Sequence, residues 1–325
     1  MEGDPDSGLA CTPNDADIQP WQCLRPDSTT LNRLVTAYAT SPVLNPDGSR
    51  GISLHYDIDN SFPFVWNFDW SMFTQNFDST HTGLYHHAIR IASWPSCECG
   101  GMSWGDRFNV IGGNEDQYPS DSLSQSAIFI HELGHNLRLN HGGTDWDPWK
   151  ANYLSAMGYI YNVVTSTLRG IPYQGTDRLD YSRFCLEDLD ETNLNEAAGM
   201  RVVGGGFQSD LNGYGAFILR CSVDSAGVFH IDGYTEAANA GSDVDWDGDG
   251  DSTEISVSAD INCNLNQTSV LSGCQRDWWN MGYTNLGPIP VVPPPSPVSI
   301  SGRGRNTLFS YPITCPLKPK AIKKE

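Results

Sequence analysis

The sequence predicts a mixed α/β fold of the α+β kind, with a twisted sheet packed on two helices in the first half and an irregular lobe in the second. Three observations carry this. Apolar residues alternate at 52–58, 85–92 and 107–111 with the two-residue period of strands. Ala127-Ile128-Phe129-Ile130, continued by Leu133 and Leu137, has instead the spacing of a helix with one apolar face. The stretch 243–254, rich in aspartate and glycine, has the composition of a loop.

Residues 1–29 contain Pro5, Pro13, Pro20 and Pro26 and read as an irregular leader tied by a Cys11–Cys23 bridge. Leu31 to Tyr38 reads as a helix, and the three alternating runs follow it. His86 and His87 fall in the second run, where neighbours point to opposite faces, so they read as structural. Arg183 to Ala198 reads as a helix with Phe184, Leu186, Leu189, Leu194 and Ala198 on its apolar side. The domain occupies residues 30–285, with an upper lobe to about 141 and a lower lobe of 142–285. Residues 286–325 form a proline-rich segment and a basic tail.

Composition limits what the chain can do. At 325 residues it can bury a large core. A formal charge of −20, with four of five lysines confined to the last eight residues, excludes a basic face for nucleic acid. No run reaches the length of a membrane span. Nine cysteines favour an oxidising compartment and disulfides, with Cys263–Cys274 the nearest downstream pair. Cys97-Glu98-Cys99 lacks zinc-knuckle spacing. Met1-Glu2-Gly3-Asp4 opens acidic, without the apolar segment of an export signal, so secretion is read from the cysteines. The chain reads as a monomer.

The chemistry sits in His131-Glu132-Leu133-Gly134-His135-Asn136-Leu137-Arg138-Leu139-Asn140-His141. Residues four apart on a helix lie one above the other, so His131 and His135 aim at one point with Glu132 beside them. A catalytic zinc takes three protein ligands and keeps a position for water. His141 is the natural third ligand, but it lies too far round to share the helical face. The helix must therefore stop after about residue 137 and the chain turn back, and Gly142 and Gly143 let the backbone leave that turn. Such a site lowers the pKa of its water from about 15.7 toward 7, and Glu132 can take the proton as the water attacks a carbonyl. A glutamate from the later helix, Glu187 or Glu191, is the rival third ligand and would make the chain an aminopeptidase.

This motif and Asn152-Tyr153-Leu154-Ser155-Ala156-Met157-Gly158-Tyr159, whose methionine lies sixteen residues beyond His141, resemble the metzincins, a clan of zinc endopeptidases. Asn45 to Ile52, Leu179 to Ser182 and Ala259 to Asn262 extend the resemblance, to uncharacterised secreted bacterial members, over roughly residues 30 to 285. The resemblance implies a metzincin-like catalytic domain and a secreted endopeptidase acting on proteins or peptides. Met157 would form an apolar floor beneath the ligands, in the clan's Met-turn. Tyr159 would approach the metal and hydrogen-bond the tetrahedral intermediate. Substrate would pair with the edge of the last strand before the helix, for which Arg107 to Ile111 is the candidate. The chain departs from the clan at Arg138, where a glycine normally ends the helix in a left-handed conformation; a side chain there costs on the order of 1–2 kcal/mol.

Asp243 to Glu254 fits the twelve-residue calcium loop, with Asp243, Asp245, Asp247, Asp249, Asp251 and Glu254 as oxygen donors and Gly248 at the sharp turn. The flanks read as strand, so a structural Ca2+ site without paired helices is expected. A second class of function uses these features differently: a calcium-stabilised adhesion or carbohydrate-binding module whose tryptophans line a surface and whose zinc site is vestigial.

Overall fold

The computed structural model describes residues 26–58, 71–72, 80, 84–91, 100–111, 122–162, 170–203, 211–225 and 229–281. The expectations for residues 1–25, for Cys97 and Cys99 and for the segment from 286 onward lie outside these residues. The architecture is mixed: helices and several small sheets.

Helix α1, Ser28–Ala39, starts where the Asp27 side chain accepts the Thr30 amide, which satisfies a backbone donor that the first turn leaves open. Its buried face, Leu31, Leu34, Ala37 and Tyr38, recurs at helical spacing. That face packs on α2, Ser122–Asn136, against Ala127 and Ile130, and Ser126 Oγ donates to Thr30 O across the contact. Residues 52–58, expected as a strand, form no ladder; the Ile52 amide donates instead to Tyr38 O at the end of α1.

Three strands lie before α2: β1 His87–Ile91, β2 Gly101–Trp104 and β3 Arg107–Ile111. Their order is β1-β3-β2, with β1 parallel and β2 antiparallel to β3. β3 is therefore central, and both its edges are taken. This corrects the expectation that Arg107 to Ile111 offers a free edge: among the described residues β1 and β2 each pair on one side only. The tight turn at Gly105 (φ 63) folds β2 back onto the outer side of β3.

The second half is built from pairs. β4 Ile171–Tyr173 and β5 Thr176–Arg178 form a hairpin whose turn residues, Gln174 and Gly175, both have positive φ. β7 Ala216–Val223 and β8 Phe229–Ala237 form the longest ladder, and β6 Leu189–Asp190 pairs with β9 Val270–Leu271. The short helices are α3 Tyr159–Asn162 and α4 Asp277–Asn280.

Arg183 to Ala198 is not helical. Its backbone bonds go sideways: Leu186 N to Gly273 O, Glu187 N to Arg201 O, Glu191 N to Ser269 O, and Leu194 pairs with Val257. The apolar residues that mimic a helical stripe are buried from several directions by these neighbours. Disulfides fix the arrangement, and they are Cys185–Cys274 and Cys221–Cys263, not the expected Cys263–Cys274. Proximity in sequence misleads here because Cys185 and Cys274 face each other in an antiparallel bridge.

Two apolar clusters result. One holds Leu34, Phe108, Ile130 and Leu133 and reaches across to Met157, Tyr181 and Trp278; the other gathers Tyr161, Phe217, Leu219 and Trp246. The Cys185–Cys274 link spans 89 residues, so replacing both cysteines by serine should lower the unfolding free energy by about 4 kcal/mol through added freedom of the unfolded chain. A guanidinium midpoint equal to that of the parent would show that the link contributes nothing.

Candidate metal centre

The helix end decides the geometry. Arg138 sits at φ 71, the left-handed conformation that favours glycine. Its amide donates to His135 O and the Leu139 amide to Gly134 O, the paired bonds of a Schellman stop. Leu139 packs in the same cluster as Leu133, which supplies the apolar contact of that motif. Arg138 itself is exposed, so its side chain meets nothing that forbids the turn. The chain then doubles back, Gly143 takes φ 76, and His141 returns to the helix.

His131, His135 and His141 each present a ring nitrogen within 4.8 Å of the other two, a group able to hold a metal ion. The Nε2 atoms of His135 and His141 are 2.8 Å apart. The other nitrogens are engaged: His131 Nδ1 donates to Ala156 O at 2.8 Å and His135 Nδ1 to Leu139 O at 2.9 Å. These bonds put the proton on Nδ1 and leave Nε2 with its lone pair directed to the centre. Burial lowers the pKa of His131 to about 3 and of His135 to about 4, and lowers that of His141 strongly, with the neighbouring imidazoles adding repulsion at His131 and His141. All three are neutral donors near pH 7. The Ala156 carbonyl that orients His131 belongs to the turn carrying Met157, which is fully buried. Met157 Sδ lies where a Cβ on Gly134 would stand, so the glycine inside the helix makes room for the thioether.

Glu132 is buried and its Oε2 has no hydrogen-bond partner. Burial alone raises its pKa to about 8. A buried carboxyl with an unbonded oxygen, on the helix that carries two of the three imidazoles, is costly unless a cation or substrate group compensates it, and the three neutral imidazoles fit a metal centre. Gly101 on β2 gives Glu132 its space: a Cβ there would lie 2.7 Å from Glu132 Cγ. Tyr159, the first residue of α3, places its hydroxyl 3.2 Å from His141 Nε2, and its ring rests against those of His141 and Trp149.

Glu191 does not join the histidines. Its two oxygens accept the Ile261 and Ser269 amides, and Glu187 is exposed. His86 is held by Asn136, as a structural residue would be. Of the acidic loop, Asp245, Asp247, Asp249, Asp251 and Glu254 fall into groups able to hold a cation. Asp243 falls in none. Glu196, from outside the loop, belongs to two of those groups.

Two supporting residues escape sequence reasoning. Lys150 is buried, and its Nζ donates to Gly142 O, Ser272 O and the Asp145 carboxylate, all within 2.8 Å, pinning the loop that delivers His141. Asp277 Oδ2 accepts from the Tyr153 and Ser155 hydroxyls and the Ser182 amide, bracing the Met157 turn from behind. Neither belongs to a motif; only the fold brings them to these loops.

No protein-family model, no curated protein and no solved structure matches the chain. The reading of the centre therefore rests on its own geometry.

Burial, with the nearby Asp180 charge adding to it, raises the Asp277 carboxyl from 3.8 to about 6. The folded state thus holds this proton more tightly than the unfolded chain does. The resulting stabilisation is complete below about pH 4 and is lost as pH rises through about 6. Asp277→Asn keeps an acceptor for the three donors and cannot ionise. The difference in unfolding free energy between parent and variant should change across that window, and a constant difference would remove Asp277 as its source.

Proposed function

We propose that the chain is a secreted zinc-dependent endopeptidase of metzincin type, in which His131, His135 and His141 hold the metal and Glu132 handles the proton. The observation that carries this reading is the group of three neutral imidazoles able to hold a metal ion, with the buried Glu132, one carboxylate oxygen unbonded, next to His131 in the same helix. A purely structural metal site has no use for such a carboxyl, which destabilises the fold when it stands alone. Zinc bound there would supply a water of lowered pKa and a Lewis acid for the scissile carbonyl.

The chain's own residues then divide the work. Glu132 takes the proton of the attacking water and returns it to the leaving amine. Tyr159 offers a hydroxyl beside the ligand set, where it can donate to the oxygen that gains charge. Of the two strands that pair on one side only among the described residues, β2 carries Gly101 against Glu132, so its outer edge is the one proposed to receive an extended peptide. Two disulfides agree with export to an oxidising compartment. Among the described residues no helix is long and apolar enough to cross a membrane.

The rival readings find less support. Glu191 is saturated by backbone amides, which leaves the aminopeptidase ligand set without its carboxylate. Trp246 and Trp278 are core residues, which takes two aromatic rings from any carbohydrate-binding face.

Casein digestion with and without a chelator tests the activity, and metal analysis tests the site. Glu132→Ala should lower turnover by at least about 100-fold while zinc stays bound, since proton transfer typically contributes about 10²–10⁴. His141→Ala should lose the zinc. Tyr159→Phe should lower kcat by about 100-fold with little change in KM. Full turnover by the Glu132 variant would remove that residue from the mechanism.

A further inference from the structure

Glu196 is fully buried, yet its Oε2 has no hydrogen-bond partner. Its other oxygen accepts the Trp246 amide at 2.8 Å, so the side chain is held against the acidic loop. Glu196 offers an oxygen within 4.8 Å of those of Asp245 and Asp247, and again of those of Asp251 and Glu254; Asp247, Asp249 and Glu254 form a third such group. That limit is about the separation of two ligands on opposite sides of a calcium ion, whose oxygens lie at about 2.3–2.6 Å. The nearest counter-charge is Arg220, which spends two donors on the Asp245 and Trp246 carbonyls and stands 3.7 Å from the Asp245 carboxylate. One guanidinium does not balance six carboxylates in this space.

A second loop repeats this design with neutral side chains. The pattern Val244-Asp245-Trp246-Asp247 recurs fifteen residues on as Ala259-Asp260-Ile261-Asn262, and Asp249, Asp251, Thr253 and Glu254 recur as Asn264, Asn266, Thr268 and Ser269. Both copies fold against one extended strip. Glu196 donates its amide to Glu254 O, accepts the Val244 amide at its carbonyl and takes the Trp246 amide on its carboxylate. Glu191 does the same with Ser269 O, the Ala259 amide and the Ile261 amide. The copies differ at the centre. In the second, the Ser269 amide satisfies Glu191 Oε2 and three aspartates have become asparagines. In the first, every acid is kept, and although the Glu254 amide faces the Glu196 carboxyl as the Ser269 amide faces Glu191, Oε2 stays outside hydrogen-bonding geometry.

We propose that residues 245–254 bind calcium with Glu196 as the inner ligand, supplied from outside the loop, and that residues 260–269 are a tandem copy in which neutral side chains stand where the acidic ligands would be. Calcium fits better than magnesium because the donors are many, all carboxylates, and carried on a loop rather than in a fixed octahedron. The site lies in the strip-and-loop layer and does not depend on the histidine centre being catalytic.

The test uses terbium(III) as the probe, with emission excited through Trp246 in the loop. The full chain should sensitise terbium, and calcium should displace it at concentrations at least 10-fold below those of magnesium. Glu196→Gln keeps an acceptor for the Trp246 amide and should weaken binding at least 10-fold. Asp247→Asn, on an exposed ligand whose loss threatens folding less, should do the same. Absence of sensitised emission, equal displacement by magnesium, or unchanged affinity in both variants would overturn the proposal.

Discussion

A single left-handed residue holds the centre together. Without Arg138 at φ 71, α2 would run on and carry His141 away from His131 and His135. The strain is on the order of 1–2 kcal/mol, and the Schellman bonds together with the Leu139–Leu133 packing offset it. Everything around the centre reinforces that stop. Leu139 O, the carbonyl next to the turn, orients His135, while Lys150 anchors the loop on its far side. The opposite ligand, His131, is oriented by Ala156 O from the Met157 turn, which Tyr153, Ser155 and Asp277 brace.

Buried carboxyls divide the molecule into satisfied and unsatisfied places. Glu191 and Asp277 each accept several hydrogen bonds, and Asp180 has Arg183, Arg178 and the Trp278 indole. These are structural anchors. Glu132 and Glu196 are buried with one oxygen left unbonded; Glu196 lies among other possible metal donors, and Glu132 is on the helix that carries His131 and His135. A folded chain tolerates an orphan carboxyl at a cost of a few kcal/mol, and these two exceptions are the carboxyls on which the proposed chemistry and the proposed ion site rest.

Periodicity succeeded where one helix faced one core. α1 follows it because its side chains are buried from one direction; α2 and β3 form as expected but are covered on more than one face. It failed at Arg183 to Ala198, whose leucines recur at nearly helical intervals but are buried on several sides by β9, the acidic loops and the 200–203 segment. A backbone that finds carbonyl partners in four other segments has no need of helical ones. The calcium pattern likewise located the loop but began it at Asp243, since spacing within the loop carries no information about Glu196.

The sequence by itself determined which three histidines come together as a group able to hold a metal ion. Their spacing on one helix, the need for the chain to turn before His141, and the methionine turn downstream follow from local geometry that eleven residues and a short neighbouring segment contain. The tertiary structure alone decided which strand has a free edge, which cysteines pair, how Lys150 and Asp277 lock the two loops, and which glutamate completes the acidic loop. Those choices join residues far apart in the chain, and their energies come from burial and from hydrogen bonds whose partners no local pattern specifies.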